Sequence, residues 1–467
     1  MFNPSNFLGS LQKILSLENE KKNGFLFCIL LTYAYLCTEK LAHVPQIHCR
    51  MEIKRDSYLN QLVNARQNGF IKVVTGPRRC GKSYLLKTLF HNHLLSEGVD
   101  ESRIIEVDLE DRANKELRDP DALLAYVKSR IVDQQLHFII LDEVQKVDEF
   151  VDVLNSLLHI KNADVYVTGS NSHFLSSDIA TEFRGRDHQI RIYPLSFSEY
   201  YSAVGGDKSD AWKDYYTFGG LPLILSFTTD QEKADYLRKL FQTVYMADIL
   251  ERNKIKNDKE LRELVNIMAS SIGSPNNPTK IANTFKSVEN SNITSQTIDK
   301  YLLYLKDAFV ISKAERYDVK GRKYIGTQSK YYFEDLGIRN ALINFRQQEE
   351  THIMENVIYN ELCMRGYQVD VGQVEIRKRT EDGKQERVRL EVDFVVNQAS
   401  QRYYIQSALA IPDKEKEDQE TQSLVNIDDS FKKIVIVKDN IKPWRNEKGI
   451  LMMGMMDFLL NKNSLEV

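Results

Sequence analysis

The sequence predicts an α/β protein: a parallel sheet carrying a phosphate-binding loop, then a helical unit and a second α/β unit. Three observations predict this. A β-branched run, Ile71 to Thr75, stops at Gly76-Pro77-Arg78-Arg79-Cys80-Gly81-Lys82-Ser83, after which Leu85, Leu86, Leu89 and Phe90 recur at helical spacing. A second apolar run, Phe138 to Leu141, ends in Asp142-Glu143. Beyond residue 345, helical and strand-like stretches alternate.

The bulk composition bounds the answer. At 467 residues the chain exceeds one ordinary core, and about three domains are expected. A formal net charge of -3 excludes global steering toward nucleic acid or anionic membrane, so any such contact is local. The five cysteines contain no CxxC pair and make no disulfide framework, which fits a reducing cytoplasm. Residues 1–50 read as an extension of uncertain standing. Their apolar stretch, 24–37, is short of the roughly twenty residues a spanning helix needs, and no A-x-A-like cleavage site follows it. The preferred reading is a native start at Met51 with no membrane association. A membrane anchor and a small accessory helix are the alternatives.

Each residue type in 76–83 has a chemical reason. Gly76 and Gly81 let successive N–H groups turn toward phosphates, and the helix that follows presents its positive end to the same anion. Lys82 would reach the β- and γ-phosphates of ATP, and Ser83 would give Mg²⁺ an oxygen. Pro77, Arg78, Arg79 and Cys80 complete the loop. Asp142 is placed to hold the Mg²⁺ shell, with Glu143 beside it to polarise the attacking water. On the next strand candidate, 164–172, Thr168, Ser170 or Asn171 could sense the γ-phosphate, and a simple turn explains the cluster equally well. Arg184 and Arg186 are candidate guanidinium donors to the γ-phosphate, in cis or from a neighbouring subunit, with a surface loop as the alternative. A thiol near Lys82 at a helix start suggests a redox-sensitive Cys80; the plainer reading is a tolerated loop position.

Together GPRRCGKS, IILDEVQ, VTGSNS, RGR before PLSFSEY, and YTFGGLP resemble a family of prokaryotic AAA+-type P-loop ATPases with a nuclease-like C-terminal domain of unknown function. The resemblance runs from about Met51 to the C-terminus. It implies an ATP-binding core with a helical lid, Lys82 and Ser83 on nucleotide and metal, Asp142 and Glu143 in catalysis, and Arg184 and Arg186 as sensor or finger arginines.

The expected organisation is a P-loop NTPase core over 51–195 and a helical lid over 196–275. In the lid, Tyr236, Leu237, Leu240, Phe241, Val244 and Tyr245 share a face, and Gly219-Gly220 is a hinge or a plain turn. Residues 276–330 read as a winged helix, two helices and a basic turn at Lys320–Lys323, able to touch DNA or serve only as packing. Residues 331–467 resemble a restriction-endonuclease-like α/β fold. Glu355 and Asp393 take two of its metal-ligand positions and Gln406 the third, but Ala408 stands where the lysine belongs, so cleavage is not expected.

ATP and Mg²⁺ are thus the expected cofactors. Three outcomes stay open: a conformational switch acting on a protein partner, a DNA-dependent ATPase, and a nucleotide-binding scaffold that barely turns over. A homo-oligomer follows if an arginine acts in trans.

Overall fold

Every residue of β1 (Ile71–Thr75) is buried, as a strand covered on both faces requires. It lies in a five-stranded parallel sheet with β2 (Ile104–Asp108), β3 (His137–Asp142), β4 (Ala163–Gly169) and β5 (Asp187–Arg191), in the order β2-β3-β4-β1-β5. The computed structural model describes residues 53–169, 183, 185–256, 258–288, 293–346, 349–379 and 385–466. Residues 1–50, Ser170, Asn171 and Arg184 lie outside them.

Alternation along these strands builds two apolar layers. Val73, Ile139, Leu141 and Val167 join one, and Val74, Phe138, Ile140 and Tyr166 the other. Lys72 interrupts the run of β1 and is fully buried, which Asp164 makes tolerable by pairing with it. The Tyr166 hydroxyl (2.9 Å) and the Gln67 N–H (3.1 Å) donate to the same carboxylate. Burial holds the Lys72 ammonium below its ordinary value even so. The carboxyl ends of β1, β3 and β4 place Thr75, Asp142 and Thr168 along one edge, where open α/β sheets bind ligands.

Four helical elements follow: α1 (Phe197–Val204), α2 (Lys208–Phe218), α3 (Asp230–Leu240, prolonged through Phe241–Met246 and Ala247–Arg252) and α4 (Lys259–Ser270). Capping boxes open α1 at Ser196/Glu199 and α3 at Thr229/Glu232. On α3 and its extension, Leu237, Leu240, Phe241 and Tyr245 are buried, and Tyr236 and Val244 pack against them. The expected aromatic stripe is therefore core. The Gly219-Gly220 step is clamped. Gly220 donates its N–H to Asp335 Oδ2 (2.8 Å), and its carbonyl accepts from the Leu195 N–H (2.7 Å). At Gly219, φ is +79°, and a Cβ would fall 2.4 Å from both Asp335 oxygens.

Helices α5 (Pro278–Val288) and α6 (Ser295–Asp307) precede an antiparallel hairpin, β6 (Ile311–Asp318) and β7 (Lys323–Phe333), with Lys320–Lys323 at its turn. The hairpin is not a separate wing. β6 pairs in parallel with β8 (Gln368–Arg379), so the hairpin joins an eight-stranded sheet with β7 as its edge. That sheet continues through β9 (Gln385–Gln398), β10 (Gln401–Ala408), β11 (Lys432–Val437), β13 (Leu451–Gly454) and the short β12 (Trp444–Arg445). Helix α7 (Leu336–Leu342) leads into α8 (Glu350–Met364), which packs on one face of the sheet; α9 (Lys414–Val425) covers the other. One apolar cluster runs from the lid helices through α8 to that first face. Among the described residues no helix is long and apolar enough to cross a membrane.

Candidate functional site

The loop between β1 and the next helix is shaped by close backbone contacts. At Gly76 φ is +147°, and a Cβ would lie 2.2 Å from the Ile192 carbonyl oxygen, so only glycine fits. The Ile192 N–H donates to the Thr75 carbonyl (2.8 Å), which fixes the start of the loop to the strand after β5. The helix begins at Lys82 and runs, through a π-type stretch Leu85–Phe90, to Ser96. Lys82 is buried, and its Nζ donates to the carbonyls of Gly76 (3.0 Å) and Pro77 (2.9 Å), curling the loop round the ammonium.

A cavity of about 470 Å³ opens beside the loop. Arg78, Arg79, Gly81, Lys82 and Ser83 line it with Glu110 and Glu143, and Thr243 to Glu251 of the α3 extension close the far side. The structure thus brings most of the predicted loop residues and Glu143 to one space, with the α3 extension as its wall. Arg78 faces the lid: its guanidinium pairs with Asp248, which also pairs with Arg252, and its carbonyl accepts from the Tyr245 hydroxyl (2.9 Å). Another cavity, of about 710 Å³, lies beside Arg191, Glu199 and Arg365, but its charges are already paired, Arg365 with Glu361 (2.8 Å) and Arg191 with Glu334. The loop cavity is the better candidate.

Asp142 and Glu143 are set by Thr168. The Thr168 hydroxyl donates to Asp142 Oδ1, and the Glu143 N–H donates to Thr168 Oγ1 (2.8 Å). Glu143 has φ +55°, a left-handed conformation that costs a non-glycine residue and persists where the surroundings impose it. One hydroxyl thus positions both acids, and Thr168 is the member of the 168/170/171 trio whose place can be stated. Lys87, which the sequence pattern does not single out, bonds Asp108 Oδ2 (2.7 Å) and lies 3.6 Å from Asp142 Oδ2. Burial lowers its basicity, but Asp108 and Asp142 raise it further. The Asp108–Asp142 register across β2 and β3 is the signal that could have found it.

A hydroxyl at Ser83 and a carboxylate at Asp142 are hard oxygen donors, the set Mg²⁺ takes when phosphates and water complete its shell. Among the described residues no group of three or more His, Cys, Asp or Glu could hold a metal ion, so a dedicated all-protein cage is absent there.

For Arg186 and Cys80 the structure favours the plainer of the two readings. The Arg186 carbonyl accepts from the Ile71 N–H (3.0 Å), at the amino end of β1. The strand puts the loop roughly 15 Å away, so Arg186 cannot reach a γ-phosphate in its own subunit. Cys80 is fully buried in the apolar layer with Leu85, Leu86 and Tyr58. Burial pushes its thiol up, against the opposing pull of Lys82 and Arg55. Iodoacetamide is therefore expected to leave Cys80 unmodified in the native protein, with or without ATP, as read by mass spectrometry. Nucleotide-protected labelling would restore the redox reading.

The C-terminal acids also differ from expectation. Glu355 and Asp393 do come together, but round a lysine from β7. Lys330 Nζ bonds Glu355 Oε1 (2.8 Å) and Glu391 Oε1 (2.7 Å), and the Tyr332 hydroxyl donates to Glu355 as well. Asp393 Oδ2 accepts from the Ser407 N–H and hydroxyl, both at 2.8 Å. Gln406 is not a third member. Its Oε1 accepts from the Asp393 backbone (3.3 Å) and lies 3.5 Å from Ser423 on α9, over the opposite face. The lysine missing at position 408 is replaced by one already committed to two carboxylates.

Comparison with known proteins agrees with the first half of this description. The AAA domain family matches residues 68–201, and a domain of unknown function (DUF8612) matches residues 209–349. The Walker-type ATPase of Pyrococcus abyssi superposes with a TM-score of 0.43 at 13% identity, covering 65% of this chain and 99% of that one. An uncharacterized protein of Methanocaldococcus jannaschii is 29% identical over 315 residues, 64% of this chain and 67% of its own. An uncharacterized protein of Haemophilus influenzae is 32% identical over 415 residues, 87% of this chain and 98% of its own. With an AAA domain over its phosphate loop and that alignment along nearly the whole relative, the chain belongs to the same family as the Haemophilus influenzae protein.

Proposed function

We propose that the protein binds ATP and hydrolyses it with Mg²⁺, moving the lid against the loop and so switching a partner protein. The observation that carries this reading is the shared cavity, where Lys82, Ser83 and Glu143 face Thr243 to Glu251 of the lid. Lys82 would exchange the Gly76 and Pro77 carbonyls for the β- and γ-phosphates, and Ser83 and Asp142 would hold the metal. Bound Mg²⁺ supplies charge neutralisation between the phosphates. Glu143, held by Thr168, orients a water in line with the γ-phosphorus and takes its proton. The water oxygen bonds to phosphorus as the bond to the β-phosphate oxygen breaks, and ADP leaves with that electron pair. Arg186, exposed at the far end of the sheet, is offered to a second copy of the chain rather than to its own site.

The C-terminal unit is proposed as a restriction-endonuclease-like fold that no longer cleaves, on the order helix, three antiparallel strands, helix, parallel strand. Hydrolysis stimulated by DNA is the second reading, favoured by the basic turn Lys320–Lys323 at the sheet edge.

The test is ATP turnover by the full chain with Mg²⁺, beside Glu143→Gln. The variant is expected to lose about 10²- to 10⁴-fold in rate while still binding ATP, as removal of a general base does. Tight binding by both proteins with no turnover would leave a scaffold.

A further inference from the structure

One end of the eight-stranded sheet carries a groove that the nucleotide site does not use. Two hollows, of about 710 and 610 Å³, both reach Ser400, Gln401, Arg402, Asp429 and Phe431, so they run into each other. A row of flat faces lies along it. Tyr317 and Phe431 line the hollows, with the Arg402 guanidinium 5.5 Å from the first ring and 5.4 Å from the second, and Tyr324, just outside, meets Tyr317 edge to face at 5.4 Å. Tyr324 is 60% and Phe431 40% exposed, unusual for rings that a core could have taken.

Cations flank the row. Lys320 and Arg322 stand at one end, and Lys432, Lys433, Arg445 and Lys448 at the other. Burial and the nearby Arg445 both hold the Lys432 ammonium below its ordinary value, so these two cations sit together. Asp428 and Asp429 line the groove, and Asp429 accepts from the Tyr404 hydroxyl (2.6 Å); beside the groove, Asp370 accepts from the Tyr324 hydroxyl (3.1 Å) and Asp418 pairs with Lys448 (2.7 Å). Asp428 is exposed.

We propose that this groove binds single-stranded nucleic acid, bases lying on Tyr324, Tyr317 and Phe431 and phosphates along Lys320, Arg322, Arg445 and Lys448. A duplex keeps its base faces inside the stack and offers exposed rings nothing; an acidic peptide would need the cations but not the rings. A single strand presents both a charged backbone and free π-faces. The inference is independent of the nucleotide reading, because neither hollow shares a residue with the loop cavity.

The experiment is fluorescence anisotropy of the full chain with a labelled oligothymidylate of about 16 nucleotides. Phe431→Ala and Tyr324→Ala are each expected to weaken binding about tenfold. Arg322→Gln and Lys448→Gln should each reduce the slope of log K against log salt by about 0.7. All four side chains are at the surface, so an unchanged melting temperature verifies folding. No binding at low salt overturns the proposal. So does a duplex or a polyglutamate peptide that displaces the oligomer at lower concentration than unlabelled oligothymidylate, or ring variants that bind like the parent.

Discussion

Replacing Lys330 with methionine is expected to cost about 3–5 kcal/mol of stability at pH 8, the size seen when one partner of a buried ion pair is removed. Glu355, Glu391 and Asp393 converge on this buried ammonium. Burial by itself would lower the basicity of Lys330, yet Glu355, Asp393 and Glu391 raise it well above the ordinary lysine value. Methionine fills the volume and strands the acids. Burial and Glu355 push the Asp393 carboxyl up to about 7, against Lys330 and Ser407. A raised carboxyl binds a proton that the unfolded chain, at about 3.9, does not. Its stability contribution is therefore greatest below pH 4 and falls between pH 4 and pH 7, by on the order of 4 kcal/mol. Asp393→Asn should flatten that slope and raise the melting temperature at pH 8, since an amide oxygen can still accept from Ser407. A metal-binding nuclease would show neither pattern. Chemical denaturation of both variants from pH 4 to pH 8 measures it; a neutral Lys330→Met would sink the buried-network reading.

Asp335→Ala is the second large effect. The carboxylate caps α7 through the Ile338 N–H (2.9 Å) and accepts the Gly220 N–H from the loop after α2. Losing it removes a cap and leaves a buried N–H without a partner, about 3–5 kcal/mol together. Gly219→Ala should cost a similar amount, because the new Cβ would lie inside contact distance of the same oxygens. The two changes share one contact, so the double variant is expected to be less destabilised than the sum of the singles. Strict additivity in urea melts would mean the clamp is not what orders this loop.

How much of this was legible follows from distance along the chain. The phosphate loop could be read because its eight residues are contiguous and its strand and helix adjoin it. Asp142 and Glu143 could be read because an apolar strand points at them. Lys330 could not, since it reaches Glu355 from an element the expected motif does not include. Nor could Asp335, more than a hundred residues from the glycine it holds. Gln406 was misplaced by a single step: in a strand, one residue is the difference between two faces, and Ser407 has the face that meets Asp393. Arg186 was misplaced because sequence gives a strand's position but not which of its ends lies near the loop.

The joint between Arg191 and Glu334 has a mechanical meaning. Arg191 ends β5 level with Thr75, its guanidinium lies over the rings of Tyr193 and Phe309, and its partner Glu334 is 2% exposed. Opening the pair would leave a buried acid with only the Ser312 hydroxyl as a side-chain partner among the described residues, a costly state, so the joint transmits displacement with little slack. The sheet edge and the end of β7 should then turn as one stiff piece. Flexure is left to junctions in which neither partner is fully buried, such as Arg78 with Asp248 beside the phosphate site.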